Sequence, residues 1–183
     1  MDQEQRLRED KITGERIYQG RILDFEVDRV RLPSGVEAER EVVRHKGAVV
    51  VLPLHENGRV ELVRQYRYPP DEILLELPAG KLDPGEQPGE CAKREPAEET
   101  GWQAGEIHEL GSFFTTPGFS DEVLHAFVAT GLEPAPDAEP DPDEAIEIVT
   151  MTVDEMLEAC RDGRIRDSKT LAVLLMAQLH GWI

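Results

Sequence analysis

Short apolar runs, separated by polar residues and turn signals, follow one another along most of the chain, and this pattern is typical of β-strands. The longest uncharged run, Gly47 to Leu54, predicts a fully buried strand. Asn57-Gly58 follows it, and an Asn-Gly pair between two apolar runs predicts a hairpin with a second strand at 60–66. Further strands are predicted at 74–77, 107–114, 123–129 and 146–151.

A separate group of apolar runs lies nearer the start of the chain. These runs extend from Ile17 to about Arg44 around the turn residues Pro33-Ser34-Gly35, which predicts a hairpin-like unit. Residues 1–13 are polar, and we expect them to be frayed. The chain therefore divides into an N-terminal β unit, residues 1–44, and a main domain, residues 45–183.

Helix signals are fewer than strand signals. A polar helix is predicted from Gln87 to Thr100, ended by a glycine at position 101. A capping box between Thr152 and Glu155 opens a second helix that reaches about residue 162, and an apolar helix is predicted over 171–180. Few helices among many strands predict an α+β fold with a mixed sheet or an α/β/α sandwich.

The net charge of the chain is −18, and residues 71–183 account for all of it because they hold 25 acids and 7 bases. Phosphate backbones require basic grooves, so this balance argues against nucleic-acid binding. It leaves room for a small phosphate ligand whose charge is screened by bound cations. The acidic clusters are therefore either solvated faces or metal sites.

Composition also bears on the compartment. Two cysteines, Cys91 and Cys160, are too few for a disulfide framework, and the first residues carry neither the basic start nor the apolar stretch of a signal peptide. The longest apolar run is too short to cross a bilayer. We expect a cytoplasmic protein that does not bind a membrane.

Three glutamates in the predicted polar helix, Glu95, Glu98 and Glu99, carry the first chemical signal. At spacings of three and four residues they share one helix face, where like charges repel. A hard cation such as Mg²⁺ would turn this repulsion into binding, because it prefers carboxylate oxygens. On this spacing alone, a solvated helix face remains the alternative to a metal site.

The residues around these glutamates resemble the Nudix box, Gly-x5-Glu-x7-Arg-Glu-U-x-Glu-Glu-x-Gly-U, where U is apolar. Eight of its nine defined positions agree over 23 residues: Gly80, Glu86, Arg94, Glu95, Glu98, Glu99, Gly101 and Trp102. The chain is thus similar to Nudix hydrolases, metal-dependent enzymes that cleave nucleoside diphosphates linked to another group. In that family the box forms a loop-helix-loop within an α/β/α sandwich.

The resemblance implies a metal site for Mg²⁺, with Mn²⁺ as an alternative. Glu95 and Glu99 would be the principal ligands, and Glu98 would bind directly or through water. The carbonyl group of Ala79, just before the box, would complete the protein ligands. Glu98 and Glu99 would also act in catalysis.

Two further box positions have implied supporting roles, and one departs from the pattern. Arg94 would orient the glutamates, as the bidentate geometry of guanidinium suits. Glu86 would support the loop rather than catalyse. Pro96 stands where the family has an aliphatic residue, and proline inside a helix costs about 3 kcal/mol. We expect either a kink between Glu95 and Glu98 or a helix held by its neighbours, and lower activity.

The resemblance extends over about residues 16–180. Within the family, the chain is most similar to the ADP-ribose pyrophosphatase branch. It rests on stretches such as Arg40-Glu-Val-Val43, Leu62-Val-Arg-Gln-Tyr-Arg67 and Leu75-Glu-Leu-Pro-Ala-Gly80, and on Pro117, fifteen residues after Trp102. Members of the branch cleave ADP-ribose to AMP and ribose 5-phosphate, commonly as homodimers whose N-terminal units cross to the partner subunit.

The branch also implies substrate contacts. Tyr18 and Arg40 would lie near the adenine or the dinucleotide, although Tyr18 could equally pack at a subunit interface. Arg67 and Glu122 would lie near the ribose or the phosphates, with a strand-surface charge as the alternative for Arg67.

An acidic segment, residues 133–147, holds seven acids, four prolines and no base, and is either a solvated loop or a functional one. In this branch a glutamate on the corresponding loop binds metal or activates water. We assign this role to Glu144, with these alternatives: Asp141, Asp143, Glu147 and, more remotely, Glu139.

Two rival functions remain open. Another substrate, such as GDP-mannose, NADH or flavin adenine dinucleotide, would use the same box with different pocket contacts. A non-catalytic nucleotide-sensing module is favoured by Pro96 and opposed by the retained glutamates.

Overall fold

A computed structural model describes residues 6–138 and 145–183, which form two compact units. One unit consists of the described residues up to Lys46 together with Phe114–Val123. The other consists of Gly47–Phe113 and the described residues of Leu124–Ile183. Among the described residues, no helix is both long enough and apolar enough to cross a membrane.

The first unit contains an antiparallel sheet of three strands. These are β1 (Asp10–Gln19), β2 (Leu23–Arg31) and β3 (Glu37–His45), with β2 in the centre. The predicted turn joins β2 to β3, and Gly35 supplies its positive φ of 87°. The expectation of a frayed terminus is wrong for residues 10–13, because β1 pairs with β2 while all ten of its residues stay exposed.

The remaining strands form three further sheets, in the orders β7-β4-β10-β9, β12-β5-β6 and β11-β8. Their bounds are β4 (Ala48–Pro53), β5 (Arg59–Arg67), β6 (Glu72–Glu76), β7 (Ala79–Lys81), β8 (Trp102–Gln103), β9 (Glu106–Phe114), β10 (Val123–Thr130), β11 (Glu133–Pro134) and β12 (Ile146–Thr152). β4 pairs parallel with β10 and antiparallel with β7. The predicted α+β class with a mixed sheet is therefore confirmed.

The described residues contain three α-helices: α1 (Pro88–Thr100), α2 (Val153–Arg161) and α3 (Ser168–Leu179). The predicted capping box opens α2, with Thr152 Oγ1 accepting from the Glu155 amide at 3.2 Å. α3 begins three residues earlier than predicted, because the side chain of Asp167 accepts a hydrogen bond from the amide of Thr170 and caps the helix.

The Asn-Gly turn forms, but the predicted hairpin is wrong. The amide of Gly58, with φ 75°, donates to the carbonyl group of His55, and the chain reverses there. Beyond a single bridge between Leu54 and Val60, however, β4 and β5 belong to different sheets. β4 is buried at every position, so both of its edges and both of its faces take partners distant in the sequence.

Strand β4 lies between two hydrophobic clusters and positions the box helix. Val49 and Val51 cluster with Cys91 and Ala92 of α1. The alternate residues of β4 point to the opposite face and cluster with buried residues of α2 and α3. Helix α1 therefore covers one face of the mixed sheet, and α2 and α3 cover the other, as an α/β/α sandwich requires.

Candidate metal and catalytic site

Helix α1 carries the three glutamates of the box. It ends where Gly101 takes a left-handed φ of 71° and its amide donates to the carbonyl group of Ala97 at 3.0 Å. Glu95 and Glu99 are buried, at 8% and 4% exposure, whereas the side chain of Glu98 is 35% exposed. The helix thus turns two carboxylates inward and leaves the third near solvent.

The two buried carboxylates converge on neighbouring residues of β7. An oxygen of Glu99 accepts a hydrogen bond from the amide of Ala79 at 3.1 Å. The carboxylate of Glu95, one helical turn earlier, lies against the Cα atom of Gly80. Strand β7 is short and pairs with β4, on which α1 packs, so the backbone of the box loop meets the box helix at this point.

Arg94 connects three of the box glutamates. Its Nε and Nη2 atoms donate to both oxygens of Glu86 at 3.1 Å, a bidentate pair. Its Nη1 atom contacts Glu95 Oε1 at 2.6 Å and Glu98 Oε2 at 2.8 Å. The hydrogen bonds to Glu86 contribute most to raising the pKa of Arg94, and the charge of Glu95 and the hydrogen bond to Glu98 add to the effect. In turn, the hydrogen bonds from Arg94 lower the pKa of Glu86. Both groups therefore stay charged at neutral pH.

Pro96 does not interrupt the helix. α1 continues from Pro88 to Thr100 through this residue, although proline offers no N–H to the carbonyl group of Ala92. Pro96 is buried, and its carbonyl group accepts a hydrogen bond from Thr100 Oγ1 at 2.5 Å. The predicted helix therefore forms despite Pro96.

The donor set at this site fits a hard divalent cation. The carboxylates of Glu95 and Glu99 reach neighbouring residues of β7, and Glu98 lies on the same helix. Carboxylate and carbonyl oxygens are the ligands that Mg²⁺ and Mn²⁺ prefer. Within residues 6–138 and 145–183, no group of three acidic, His or Cys side chains already stands in a ligating arrangement. Arg94 contacts one oxygen of Glu95 and one of Glu98, so it can hold both glutamates in place while their other oxygens face a cation.

Arg67 lies at the end of β5 and is held by a buried acid. Its Nε atom donates to both oxygens of Glu76 at 3.1 and 3.2 Å, and its Nη2 atom donates to Glu76 Oε2 at 2.6 Å. These hydrogen bonds raise the pKa of Arg67, and the nearby charge of Glu99 adds to the effect. Arg67 therefore lies close enough to Glu99 for the two charges to interact.

The other predicted substrate residues, Tyr18, Arg40 and Glu122, lie in the first unit. Tyr18 is exposed on β1. Arg40 makes a bidentate pair with Glu9 at 3.0 and 2.5 Å, which raises its pKa. Glu122 accepts a hydrogen bond from Thr115 Oγ1 at 2.6 Å.

The acid assigned to the acidic segment, Glu144, lies outside the described residues, as do Asp141, Asp143 and Glu139. The remaining alternative, Glu147, lies on β12, where its exposed carboxylate pairs with Arg64 at 3.1 Å.

A buried ion network behind Arg67 was not predicted from the sequence. Lys169 donates to Glu76 at 2.5 Å and to Asp167 at 2.9 Å. Two signals were available: Glu76 interrupts the apolar strand Leu74–Leu77, and Asp167 stands three residues before Thr170, as a helix cap does. Neither signal reveals that the two segments meet.

Similarities to known proteins extend over most of the chain. The family model described as "NUDIX domain" matches residues 43–174. A methanol dehydrogenase activator from Bacillus methanolicus is 42% identical over 173 residues, which cover 94% of each chain. An ADP-ribose pyrophosphatase from Bacillus subtilis is 38% identical over 174 residues, again 94% of each chain. A GDP-mannose pyrophosphatase from Yersinia enterocolitica is 38% identical over 157 residues, 81% of this chain and 82% of that protein.

A solved structure described as "Crystal structure of ADP compounds hydrolase" superposes with a TM-score of 0.83 at 22% identity, covering 97% of this chain and 98% of that chain. This likeness confirms the fold. The family model spans more than half of the chain, and relatives at 38–42% identity extend over nearly its whole length. The chain therefore belongs to the Nudix hydrolase family.

Proposed function

We propose that this enzyme hydrolyses the diphosphate bond of ADP-ribose to AMP and ribose 5-phosphate with the help of Mg²⁺, or alternatively Mn²⁺. The observation that carries the proposal is the convergence of the Glu95 and Glu99 carboxylates on Ala79 and Gly80, beside the charge of Arg67. The likeness to the ADP-ribose pyrophosphatase of Bacillus subtilis supports the choice of substrate.

The metal would be held by Glu95, Glu98, Glu99 and the carbonyl group of Ala79. When bound, a divalent cation supplies charge neutralisation for the diphosphate and makes a bound water more acidic. Arg94 keeps the glutamates oriented through its contacts with Glu86, Glu95 and Glu98.

We propose four further side chains for substrate positioning. Arg67 would bind a phosphate through the edge of its guanidinium that points away from Glu76. Glu122 would bind the ribose or a phosphate, and Tyr18 and Arg40 the adenine side.

The chemical step consumes one water molecule. A loop carboxylate, for which we propose Glu144, accepts a proton from the water, whose oxygen forms a bond to one phosphorus atom. The bond from that phosphorus to the bridging oxygen breaks, and the bridging oxygen leaves with the other phosphate. The alternatives for this acid stay Asp141, Asp143, Glu147 and Glu139.

We further propose that the enzyme is a cytoplasmic homodimer in which the N-terminal unit, residues 1–44, contributes to the site of the partner subunit. The free cysteines are consistent with a reducing compartment. Light scattering of the purified protein tests the dimer. A monomer with full activity would reject the shared site.

The decisive experiment measures AMP release from ADP-ribose with Mg²⁺, beside the Glu99→Gln variant. The glutamine keeps an oxygen for the amide of Ala79, so the variant should fold while losing the carboxylate charge. Metal-dependent release by the wild type that the variant loses supports the proposal. Equal rates for the two proteins would reject the role of Glu99.

GDP-mannose is the second candidate substrate, because a relative at 38% identity bears that activity in its name. The two substrates share the diphosphate and differ in base and sugar, so the box treats them alike. Parallel assays with GDP-mannose, NADH and flavin adenine dinucleotide decide among them by the ratio of kcat/KM.

A further inference from the structure

A buried carboxylate behind Arg67 is shared by two cations. Glu76 is 1% exposed, and its Oε2 atom accepts from Arg67 Nη2 at 2.6 Å and from Lys169 Nζ at 2.5 Å. Lys169 also donates to Asp167 Oδ2 at 2.9 Å, and that oxygen caps α3 through the amide of Thr170 at 3.0 Å. Two acids and two bases thus form a neutral network that joins the start of α3 to the end of β6.

The register of the sheet explains why Arg67 reaches this carboxylate. Glu76 pairs with Val63, and Arg67 lies four residues after Val63 on the same strand, so all three side chains point to one face. The arginine side chain runs back along β5 to meet Glu76. Its Nη1 atom has no hydrogen-bond partner among residues 6–138 and 145–183, which leaves that edge available to an anion.

We infer that Lys169 is a positioning residue for the phosphate-binding guanidinium of Arg67, and that it acts through the buried carboxylate of Glu76. The inference rests on the proposed function, since it takes Arg67 as a ligand of the substrate diphosphate. Lys169 does not touch substrate. It takes a share of the negative charge of Glu76, so Arg67 is fixed by the hydrogen bonds of its Nε and Nη2 atoms without being neutralised.

Removing either partner disturbs Arg67 in a different way. Without Lys169, the whole charge of Glu76 acts on Arg67, and the guanidinium offers less positive charge to a phosphate. Without the charge of Glu76, Arg67 loses its clamp and samples other rotamers, so its orientation must be fixed on binding. In both cases substrate binding weakens more than the chemical step.

The test measures KM and kcat for ADP-ribose in the Lys169→Met, Glu76→Gln and double variants, with binding of ADP-ribose in EDTA measured by calorimetry. Lys169→Met should raise KM and the calorimetric Kd about tenfold with kcat within about twofold, the size of one charge-assisted hydrogen bond. Because Lys169 acts through Glu76, adding Lys169→Met to Glu76→Gln should change KM little further. Lys169→Arg should restore KM, because it returns the cation.

A matched control lies on the same segment. Arg164 precedes α3 and pairs with the exposed Asp162 at 2.7 Å, so Arg164→Met removes a cation from the same segment without touching Glu76. It should leave KM unchanged. Thermal melting checks that each variant folds. If Lys169→Met alone is unstable, the comparison of the double variant with Glu76→Gln still tests whether Lys169 acts through Glu76.

The outcomes separate this inference from the proposed function. A wild type that cleaves ADP-ribose while Lys169→Met keeps the wild-type KM and Kd overturns the inference alone. Additive effects of the two substitutions, or an equal rise of KM in Arg164→Met, also overturn it. A wild type that neither binds nor cleaves ADP-ribose overturns both.

Discussion

The Cα atom of Gly80 lies so close to the carboxylate of Glu95 that a side chain at position 80 would occupy the space of the carboxyl group. Gly80 does not have a left-handed φ, so the requirement is for space rather than for backbone freedom. The first glycine of the box therefore leaves the space that the carboxylate of Glu95, a proposed metal ligand, occupies.

Replacing Gly80 with alanine should displace the Glu95 carboxylate. Glu95 belongs to a buried helix face and cannot move away without disturbing α1, so we expect AMP release to fall at least about 100-fold. The free energy of unfolding should fall by about 1–3 kcal/mol because of the overpacking. Activity assays and urea melts measure the two effects.

Gly89 provides the control. It lies in the first turn of α1, and a Cβ atom there meets nothing within 4 Å. Gly89→Ala should leave activity unchanged and stabilise the protein by about 0.5–1 kcal/mol, since alanine is the better helix former. If Gly80→Ala retained wild-type activity, the close contact between Gly80 and the Glu95 carboxylate would not be needed for function.

Pro96 should cost stability rather than activity. α1 is continuous through this residue, and Glu95 and Glu98 both contact Arg94, so the glutamates already share their face. Pro96→Ala restores the hydrogen bond to Ala92 but gives up buried ring surface. We expect the unfolding free energy to rise by about 1 kcal/mol and kcat to stay within about twofold.

Pro88→Ala serves as the comparison for this variant. Pro88 stands at the first helical position, where a missing N–H costs nothing, so the same substitution should change stability little. A large gain of kcat in Pro96→Ala would show instead that the proline limits catalysis.

Local sequence signals predicted where helices begin and end better than they predicted which strands pair with each other. Gly101 ends α1, and the capping box of Thr152 and Glu155 begins α2, because each signal acts within a few residues. The Asn57-Gly58 turn was predicted too, yet the strands it joins separate into different sheets. Strand β1 escaped prediction because it exposes every residue and so has no apolar alternation.

The same limit applies to the site. The box predicts the carboxylates of α1 because their spacing on one helix fixes their common face. Lys169 and Glu76 are 93 residues apart, and their contact depends on the packing of α3 against the sheets. No local pattern encodes it, although a glutamate inside an apolar strand indicates that a buried partner must exist.

Arg94 should control the apparent affinity for metal. Its guanidinium binds Glu86 with two nitrogens and Glu95 and Glu98 with the third, a geometry that lysine cannot reproduce. Arg94→Lys should therefore raise the Mg²⁺ concentration for half-maximal activity about 10–100-fold. Titration of AMP release with Mg²⁺ measures the shift.

Arg161→Lys is the matched control, because Arg161 pairs with Glu158 on the exposed side of α2. It should leave the Mg²⁺ titration unchanged. An unaltered titration in Arg94→Lys as well would contradict this prediction. It would mean that a positive charge at position 94 is enough for metal affinity and that the guanidinium geometry is not needed. Chelation of the metal should abolish turnover in every variant that folds.

Asp167 should make stability depend on pH in the acidic range. Burial works to raise the pKa of Asp167, but the charge of Lys169 and the hydrogen bonds from Thr170 outweigh it and hold the pKa below its usual value. The folded protein therefore binds a proton at Asp167 less readily than the unfolded chain. Its stabilisation is complete above a pH of about 4 and is lost as the pH falls through the folded pKa.

Asp167→Asn should accordingly lower the free energy of unfolding by about 1–2 kcal/mol at neutral pH, because the amide keeps the cap but loses the charge that Lys169 requires. The difference from the wild type should vanish in strong acid, where both side chains are neutral. Urea melts from pH 7 down to about pH 3 measure it. Asp162→Asn is the control, since Asp162 also has a lowered pKa, from the hydrogen bonds of Arg164, but is exposed. A difference for Asp167→Asn that stays constant with pH would contradict the role of its charge.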